Sequence, residues 1–416
     1  MRRTRPRFAV LAFAALALVS CTSSVTTGEG TDTTATPPSR STPPSRAAPT
    51  SAASSASAAA TSPTSRAATS SAPALAPAQR VFAAMSERER VGQLLMVDCP
   101  SSGVADATRT AITRYHVGAV ILDGTSYAGR AAIRGVTSQL RSLAPRAAGL
   151  FIATDQEGGQ VQRLQGPGFS RIPDAVTQGR ESTPTLLAQA RTWGGQLRRA
   201  GVNLNLAPVL DVVPPGSTSN PPIGDLSREY GHSPITVTVA GITVANGMTA
   251  AGIDVTAKHF PGLGRVAGNT DTTAGVRDFV TTRHDAYLAP FRAAVQADVP
   301  FVMVSTAIYT KIDPANPAAF SRTIVTGMLR GDLGFRGVII SDDVGVAAQV
   351  AQFSPGQRAV RFVAAGGDVV LTVDATQAGP MTAALLARAN ADPAFKRLVD
   401  AAALRVLQAK QARGLL

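Results

Sequence analysis

The chain has 416 residues, with 40 Lys plus Arg against 27 Asp plus Glu and a formal net charge of +13. That surplus does not mark a nucleic-acid binder. Seven arginines against Glu29 and Asp32 put +5 of it before residue 80, and the other arginines are scattered singly rather than gathered into a stripe. Weak attraction to anionic wall polymers or lipid is the milder use of the charge.

The N-terminus carries Arg2, Arg3, Arg5 and Arg7 ahead of an apolar run from Phe8 to Val19. This run is too short to span a bilayer as a helix and suits a signal-peptide core. It ends in Leu18-Val19-Ser20-Cys21, which is similar to a bacterial lipoprotein processing site with Cys21 as the lipidated residue. Residues 1–21 therefore read as a lipoprotein signal peptide. The expected location is outside the cytoplasm, anchored to the membrane through Cys21 and facing the cell wall or periplasm. An exported protein does not meet the chromosome, a further reason to expect no nucleic acid. Residues 22–79 are almost entirely Ser, Thr, Ala and Pro. Such a segment has too little to bury to offset the entropy of ordering and is read as a disordered tether.

Residues 80–416 are enough for one large core. Cys99 is the only cysteine left in this part, so no internal disulfide is expected. Short Val/Ile/Leu-rich runs alternate with longer Ala- and Arg-rich amphipathic stretches. The apolar runs are Val91–Val97, Val117–Leu122, Leu150–Thr154, Val202–Leu206, Ile253–Ala257, Pro300–Val304, Val338–Ser341 and Asp368–Thr372. Mostly apolar strands separated by helices predict a parallel sheet covered on both faces, and eight of them predict an α/β fold closed as a (β/α)8 TIM barrel, a single catalytic domain. An open doubly wound sheet would usually carry a Gly-rich phosphate loop after its first strand, and none is present. No Walker motif, HExxH or Cys/His cluster occurs, so neither a metal nor a cofactor is expected.

In such a barrel, chemistry sits where strands end. The residues past the runs are Asp98, Asp123, Asp155, Asp211, Lys258-His259, Ser305, Asp342-Asp343 and Asp374. Asp98, Asp123 and Asp374 are read as helix caps, because Asp commonly follows a strand for that purpose. The others fall within four segments: Thr154-Asp155-Gln156-Glu157-Gly158-Gly159-Gln160-Val161-Gln162-Arg163, Leu206-Ala207-Pro208-Val209-Leu210-Asp211-Val212, Lys258-His259-Phe260-Pro261-Gly262-Leu263-Gly264, and Gly337-Val338-Ile339-Ile340-Ser341-Asp342-Asp343.

In this order the four segments resemble family 3 glycoside hydrolases, specifically their single-domain β-N-acetylglucosaminidases, from about Glu87 to about Asp374. The resemblance implies that Asp342 is the nucleophile, forming a glycosyl-enzyme intermediate with retention of configuration. Asp343 alternates to the other face and is expected to cap the next helix. The resemblance further implies that Asp155 and Arg163 grip sugar hydroxyls and that Lys258 and His259 contact the same sugar. Glu157 is given no catalytic role, since Gly158-Gly159 suggests a close backbone turn there.

Two positions depart from the family pattern. An Asp-x-His pair, whose His is the acid/base, is replaced here by Asn269-Thr270-Asp271, and Asp271 is the only carboxylic acid between Lys258 and Gly275. Asp271 is expected to take over as acid/base, its pKa raised by burial or by the charge of Asp342. A carboxylate there would repel phosphate, which favours hydrolysis over phosphorolysis. The family's Ile-Gly-x-Arg reads Ile223-Gly224-Asp225-Leu226, with Arg228 two residues later as a candidate for the same sugar contact.

The expectation is thus a metal-free, monomeric retaining glycosidase that acts on a carbohydrate, releasing terminal β-linked N-acetylglucosamine from cell-wall fragments. Two alternatives remain open: a muropeptide- or sugar-binding lipoprotein without turnover, and a β-glucosidase or β-xylosidase of the same family.

Overall fold

Side chains alternate across a strand, so each apolar strand serves two cores at once. In the computed structural model, which describes residues 75–416, eight parallel strands follow one another around a ring. They are β1 (Leu95–Pro100), β2 (Ala119–Asp123), β3 (Phe151–Thr154), β4 (Leu204–Asn205), β5 (Asp254–Phe260), β6 (Phe301–Val304), β7 (Val338–Ser341) and β8 (Val370–Thr372). Each pairs with the next, and β8 pairs back with β1. The remaining seam closes through the Ile340–Val369 bridge and a 2.9 Å bond from the Ser341 amide to the Val369 carbonyl. The signal segment ending at Cys21 and the tether to residue 74 lie outside the described residues.

Met96, Ile121, Phe151, Leu204, Met303, Ile340 and Leu371 point into the barrel, where Phe151 meets Phe301 edge-on at 5.1 Å. The alternate residues Leu95, Val97, Val120, Ile152, Val302 and Ile339 face the surrounding helices. The expectation of a barrel with both faces of its sheet covered is met.

Helix starts are written locally. Ser233, Ser354 and Asp392 accept amide hydrogens from the first turns of Pro234–Ala250, Pro355–Ala365 and Pro393–Ala412, and each is followed directly by proline. The side-chain oxygen satisfies an orphan amide, and proline at the first helical position has none to leave unpaired.

The first strand corrects the sequence reading. Val91 and Gly92 belong to a helix, Glu87–Gly92, begun by a capping box between Ser86 and Glu89, and β1 starts only at Leu95. Asp98 consequently lies within β1 rather than past it. A helix at Pro77–Ala84 also crosses the boundary drawn at residue 80. It packs Ala78 against Leu407 of the last helix, Pro393–Ala412, whose Val406 plugs the lower end of the barrel.

That plug buries Lys410 completely, with only Gln93 Oε1 at 2.6 Å to receive its ammonium. Burial pushes its pKa down to about 7 from an ordinary 10.5. A depressed amine costs stability wherever the unfolded chain holds the extra proton, so the cost is full below about pH 7 and fades as pH rises toward 10.5. Replacing Lys410→Met should flatten the rise in stability between about pH 7 and pH 9.5 that this linkage produces, read by urea unfolding at the two pH values.

Candidate active site

The upper end of the barrel is a cavity of about 430 Å³. Its floor is a layer of four inward side chains, Ile121, Leu206, Met303 and Leu371, from β2, the end of β4, β6 and β8. Alternate strands supplying one layer is how a closed barrel fills its interior. Above this floor stand Asp123, Asp155, Arg163, Arg228, Lys258, His259, Asp271, Asp342 and Asp343. Every site residue predicted for the barrel therefore reaches one place.

The arm after β3 presents the first group. Gln156–Gly158 pairs antiparallel with Val161–Gln162, so the chain doubles back and brings Arg163 beside Asp155, where the Arg163 amide donates to the Asp155 carbonyl at 3.1 Å. Gly158 makes this turn at φ +117°, and a Cβ there would meet the Pro173 oxygen at 2.1 Å, which fits the turn read from Gly158-Gly159. The buried Nε of Arg163 meets no hydrogen-bond partner among the described residues.

Glu157, given no catalytic role by the sequence reading, has a place in the site that the reading did not foresee, as an ion-pair partner. Asp155 and Glu157, two residues apart, share one face, and Lys258 Nζ lies 2.5 Å from Asp155 Oδ1 and 2.7 Å from Glu157 Oε1. Arg228 grips the same Glu157 with a fork, Nε to Oε2 at 2.9 Å and a terminal nitrogen to Oε1 at 2.8 Å. Burial alone would raise the Glu157 pKa, but the charges of Arg228 and Lys258 outweigh it and hold the group well below the carboxylate range. Burial would likewise depress Lys258 and Arg228, and the facing carboxylates reverse this, leaving both raised. Arg228 thus reaches the cavity despite its offset of two residues.

His259 has its own support. Asp211, fully buried, accepts from the amides of His259 and Leu263 and lies 2.7 Å from His259 Nδ1. A carboxylate already used as an acceptor leaves Nδ1 as the donor and sets the tautomer, with Nε2 as the ring's other face. Asp211 is therefore one step removed from the cavity. Gly264 is required just beyond, because a Cβ there would meet the Val212 oxygen at 1.9 Å.

Asp342 follows β7. Its pKa is raised by burial, opposed by His259, by the Asp343 amide that donates to it at 2.9 Å, and by Lys258. Asp271 stands at the cavity mouth on the loop after β5, exposed on one side. Protein around its carboxyl and then the charge of Asp342 push its pKa up to about 6, against the pull of His259 and Arg228. Solvent on the open side moderates that shift, and a sugar filling the cavity would remove the moderation.

Three assignments of helix caps change. Asp123 makes no cap: the helix Gly129–Leu143 starts behind Ala128, and Asp123 faces the cavity. Asp343 caps no helix either, since Ser354 begins the next one. Its carboxylate instead accepts from the amides of Gly345, Val346 and Ala347 and from Val373 after β8. Asp374 does act as a cap, through the amide of Thr376, whereas Asp98 caps no helix of its own: the next one starts behind Ala105, and Asp98 accepts from the Ala375 amide after β8. Among the described residues, no group of His, Cys, Asp or Glu is arranged to hold a metal ion.

The model of the glycosyl hydrolase family 3 N-terminal domain matches residues 86–409. A β-hexosaminidase of Xylella fastidiosa strain 9a5c is 35% identical over 297 residues, covering 69% of this chain and 85% of its own length. The crystal structure of a β-N-acetylhexosaminidase from Beutenbergia cavernae superposes with a TM-score of 0.77 at 50% identity, covering 79% of this chain and 99% of that one. A family 3 β-N-acetylglucosaminidase from Paenibacillus sp. FPU-7 gives a TM-score of 0.73 at 31% identity, over 80% of this chain and 63% of that one.

Removing Glu157's charge would leave two cations buried together. Glu157→Gln should lower unfolding stability by about 3 kcal/mol, the scale for breaking a buried ion pair. The difference should be full above pH 4.5 and shrink below it, because Glu157 is held below its ordinary value of 4.5. Denaturant unfolding of both proteins across pH 3 to 7 gives the comparison.

Proposed function

The chain belongs to glycosyl hydrolase family 3, and we propose that it is a retaining β-N-acetylhexosaminidase releasing terminal β-linked N-acetylglucosamine by double displacement. The observation that carries this reading is the pair of carboxyl groups in one cavity, Asp342 at the end of β7 and Asp271 on the loop after β5, with each charge raising the cost of the other. Two like charges so placed do not both ionise at mild pH, and one proton is shared between them. His259, Lys258 and the Asp343 amide oppose the effect of burial on Asp342, whereas the charge of Asp342 adds to that of burial on Asp271, and in this reading the shared proton rests on Asp271.

This is the distribution a retaining glycosidase needs. In the first step Asp342 attacks the anomeric carbon and a glycosyl ester forms. The bond to the leaving oxygen breaks, and that oxygen takes the Asp271 proton. In the second step a water oxygen attacks the same carbon, Asp342 departs as carboxylate, and Asp271 takes the proton from water. Asp155, Arg163, Lys258, His259 and Arg228 hold the sugar, Lys258 and Arg228 being fixed by Glu157. Asp123 joins them as a hydroxyl acceptor at the cavity wall. The unpartnered Nε of Arg163 supports a donor awaiting a sugar oxygen.

The choice of an acetamido sugar rests on the relatives' own activities, at 50% and 35% identity. Export, a lipid anchor at Cys21 and a tether ending ahead of the helix at Pro77 remain the reading of the N-terminal sequence. Together with the sugar they make cell-wall fragments the proposed source of substrate. The raised pKa of Asp271 supports turnover over a sugar-binding role, since a binder has no use for a proton held near pH 6.

Release of aryl alcohol from an aryl β-N-acetylglucosaminide by the full chain tests the proposal. Turnover should be present and should vanish in Asp342→Ala. Asp271→Asn should slow cleavage of poor leaving groups by about 10²-fold or more while sugar binding persists. If Asp271→Asn turns over like the parent, Asp271 is not the acid.

The rate against pH should be bell-shaped, its alkaline limb falling above about pH 6 as Asp271 loses its proton. Asp271→Asn should lack that limb. An alkaline limb unchanged in this variant would assign it to another group.

A further inference from the structure

The loop carrying Asp271 does not hang free over the cavity. It is bonded along its length to the loop that leaves the nucleophile strand. The Ala348 amide donates to the Asp271 carbonyl at 3.0 Å, and the Gln349 amide donates to the Thr270 carbonyl at 3.1 Å. The buried Gln349 side chain then closes a second pair, accepting from the Val276 amide at 2.8 Å and donating to the Val276 carbonyl at 3.1 Å. One glutamine thereby satisfies both backbone groups of a residue five positions beyond Asp271.

The other partner in this zipper is itself held fast. Asp343, adjacent to the nucleophile, gathers the amides of Gly345, Val346 and Ala347. Arg358, buried, donates to the carbonyls of Val344 and Phe353, at 2.8 and 2.7 Å, and to that of Gly345. Residues 343–349 are thus a rigid strap running from the nucleophile to the loop of the acid.

We propose that Gln349 is a positioning residue that fixes Asp271 at its working distance from Asp342 by clamping the Val276 backbone. The proposal rests on Asp271 being the acid/base. The physical reason is that proton donation depends steeply on placement, and a displacement of about 1 Å can cost about 10²-fold in rate. A side chain open to solvent on one side resists such a shift less than a fully buried one, so the hold on its backbone matters more.

A positioning role and a merely structural one are separated by the leaving group. A 2,4-dinitrophenyl β-N-acetylglucosaminide departs without a proton, whereas a methyl β-N-acetylglucosaminide requires one. Gln349→Met preserves volume and removes both bonds. It should lose about 10- to 100-fold in kcat/KM on the methyl glycoside and no more than about threefold on the dinitrophenyl one. Gln349→Glu, which still accepts from the Val276 amide, should fall between parent and Gln349→Met, and it supplies the comparison if the methionine variant does not fold.

Asp271→Ala run beside them keeps the two claims apart. If Asp271→Ala discriminates between the glycosides and the Gln349 variants lose activity on both equally, or on neither, the positioning role of Gln349 is overturned. If Asp271→Ala itself shows no discrimination, the assignment of the acid falls first and the clamp falls with it.

Discussion

The site is organised around one buried negative charge. Glu157 is almost wholly withdrawn from water, and a carboxylate there is tolerable only if cations meet it with good geometry. Those cations come from distant parts of the chain, Lys258 at the end of β5 and Arg228 on the loop after β4. The requirement works in both directions, because neither Lys258 nor Arg228 could be buried without Glu157. With Asp155 added, two negative charges face two positive ones, and that part of the cavity is internally balanced. The pair Asp342 and Asp271 draws on those cations only in part, Lys258 easing the charge on Asp342 and Arg228 that on Asp271, while burial leaves both raised. In the proposed mechanism a shared proton is the stable arrangement for that pair, so the acid–base chemistry would draw on a charge balance set in the same cavity.

The barrel was legible because its strands are buried on both faces and read as eight apolar runs. Asp155, Lys258, His259 and Asp342 were legible because each ends such a run. The misplaced first strand shows the limit of reading hydrophobicity alone: Val91–Val97 is apolar apart from Gln93, yet its beginning is the end of a capped helix. The signal was in the sequence, as Ser86 followed three residues later by Glu89. Glu157 was harder. Its spacing from Asp155 placed it on the same face, but its worth depends on Arg228, 71 residues away, and local pattern does not carry that information. Asp123 was misread for a different reason. The same residue type at the same strand-end position serves as cap or as cavity wall, and only the start of the following helix decides between them.

Replacement of the family's histidine by Asp271 fits the rest of the cavity. A histidine and a carboxylate reach a protonated state near mild pH by opposite routes, the first by its ordinary pKa and the second only when its charge is penalised. The enclosing loop and the nearness of Asp342 provide that penalty. His259 and Arg228 work against it, which keeps Asp271 near 6 rather than driving it far higher. A group so placed can both give up a proton and take one back, as the two halves of the proposed reaction require.

The apolar floor formed by Ile121, Leu206, Met303 and Leu371 has a consequence for the order of events. It closes the inner end of the cavity, and Asp271 stands at the mouth opposite. Whatever is attached to the bound sugar must trail outward past Asp271, and it blocks the exit until its bond is cut. In the proposed double displacement the departing alcohol therefore leaves first, and its departure opens the path by which water enters. The sugar, deepest in the blind end, leaves last. A free amino sugar retained in the pocket would then obstruct the next turnover, so the shape of the barrel's interior makes the sugar product the natural inhibitor of the enzyme and its escape a step that competes with chemistry for control of the rate.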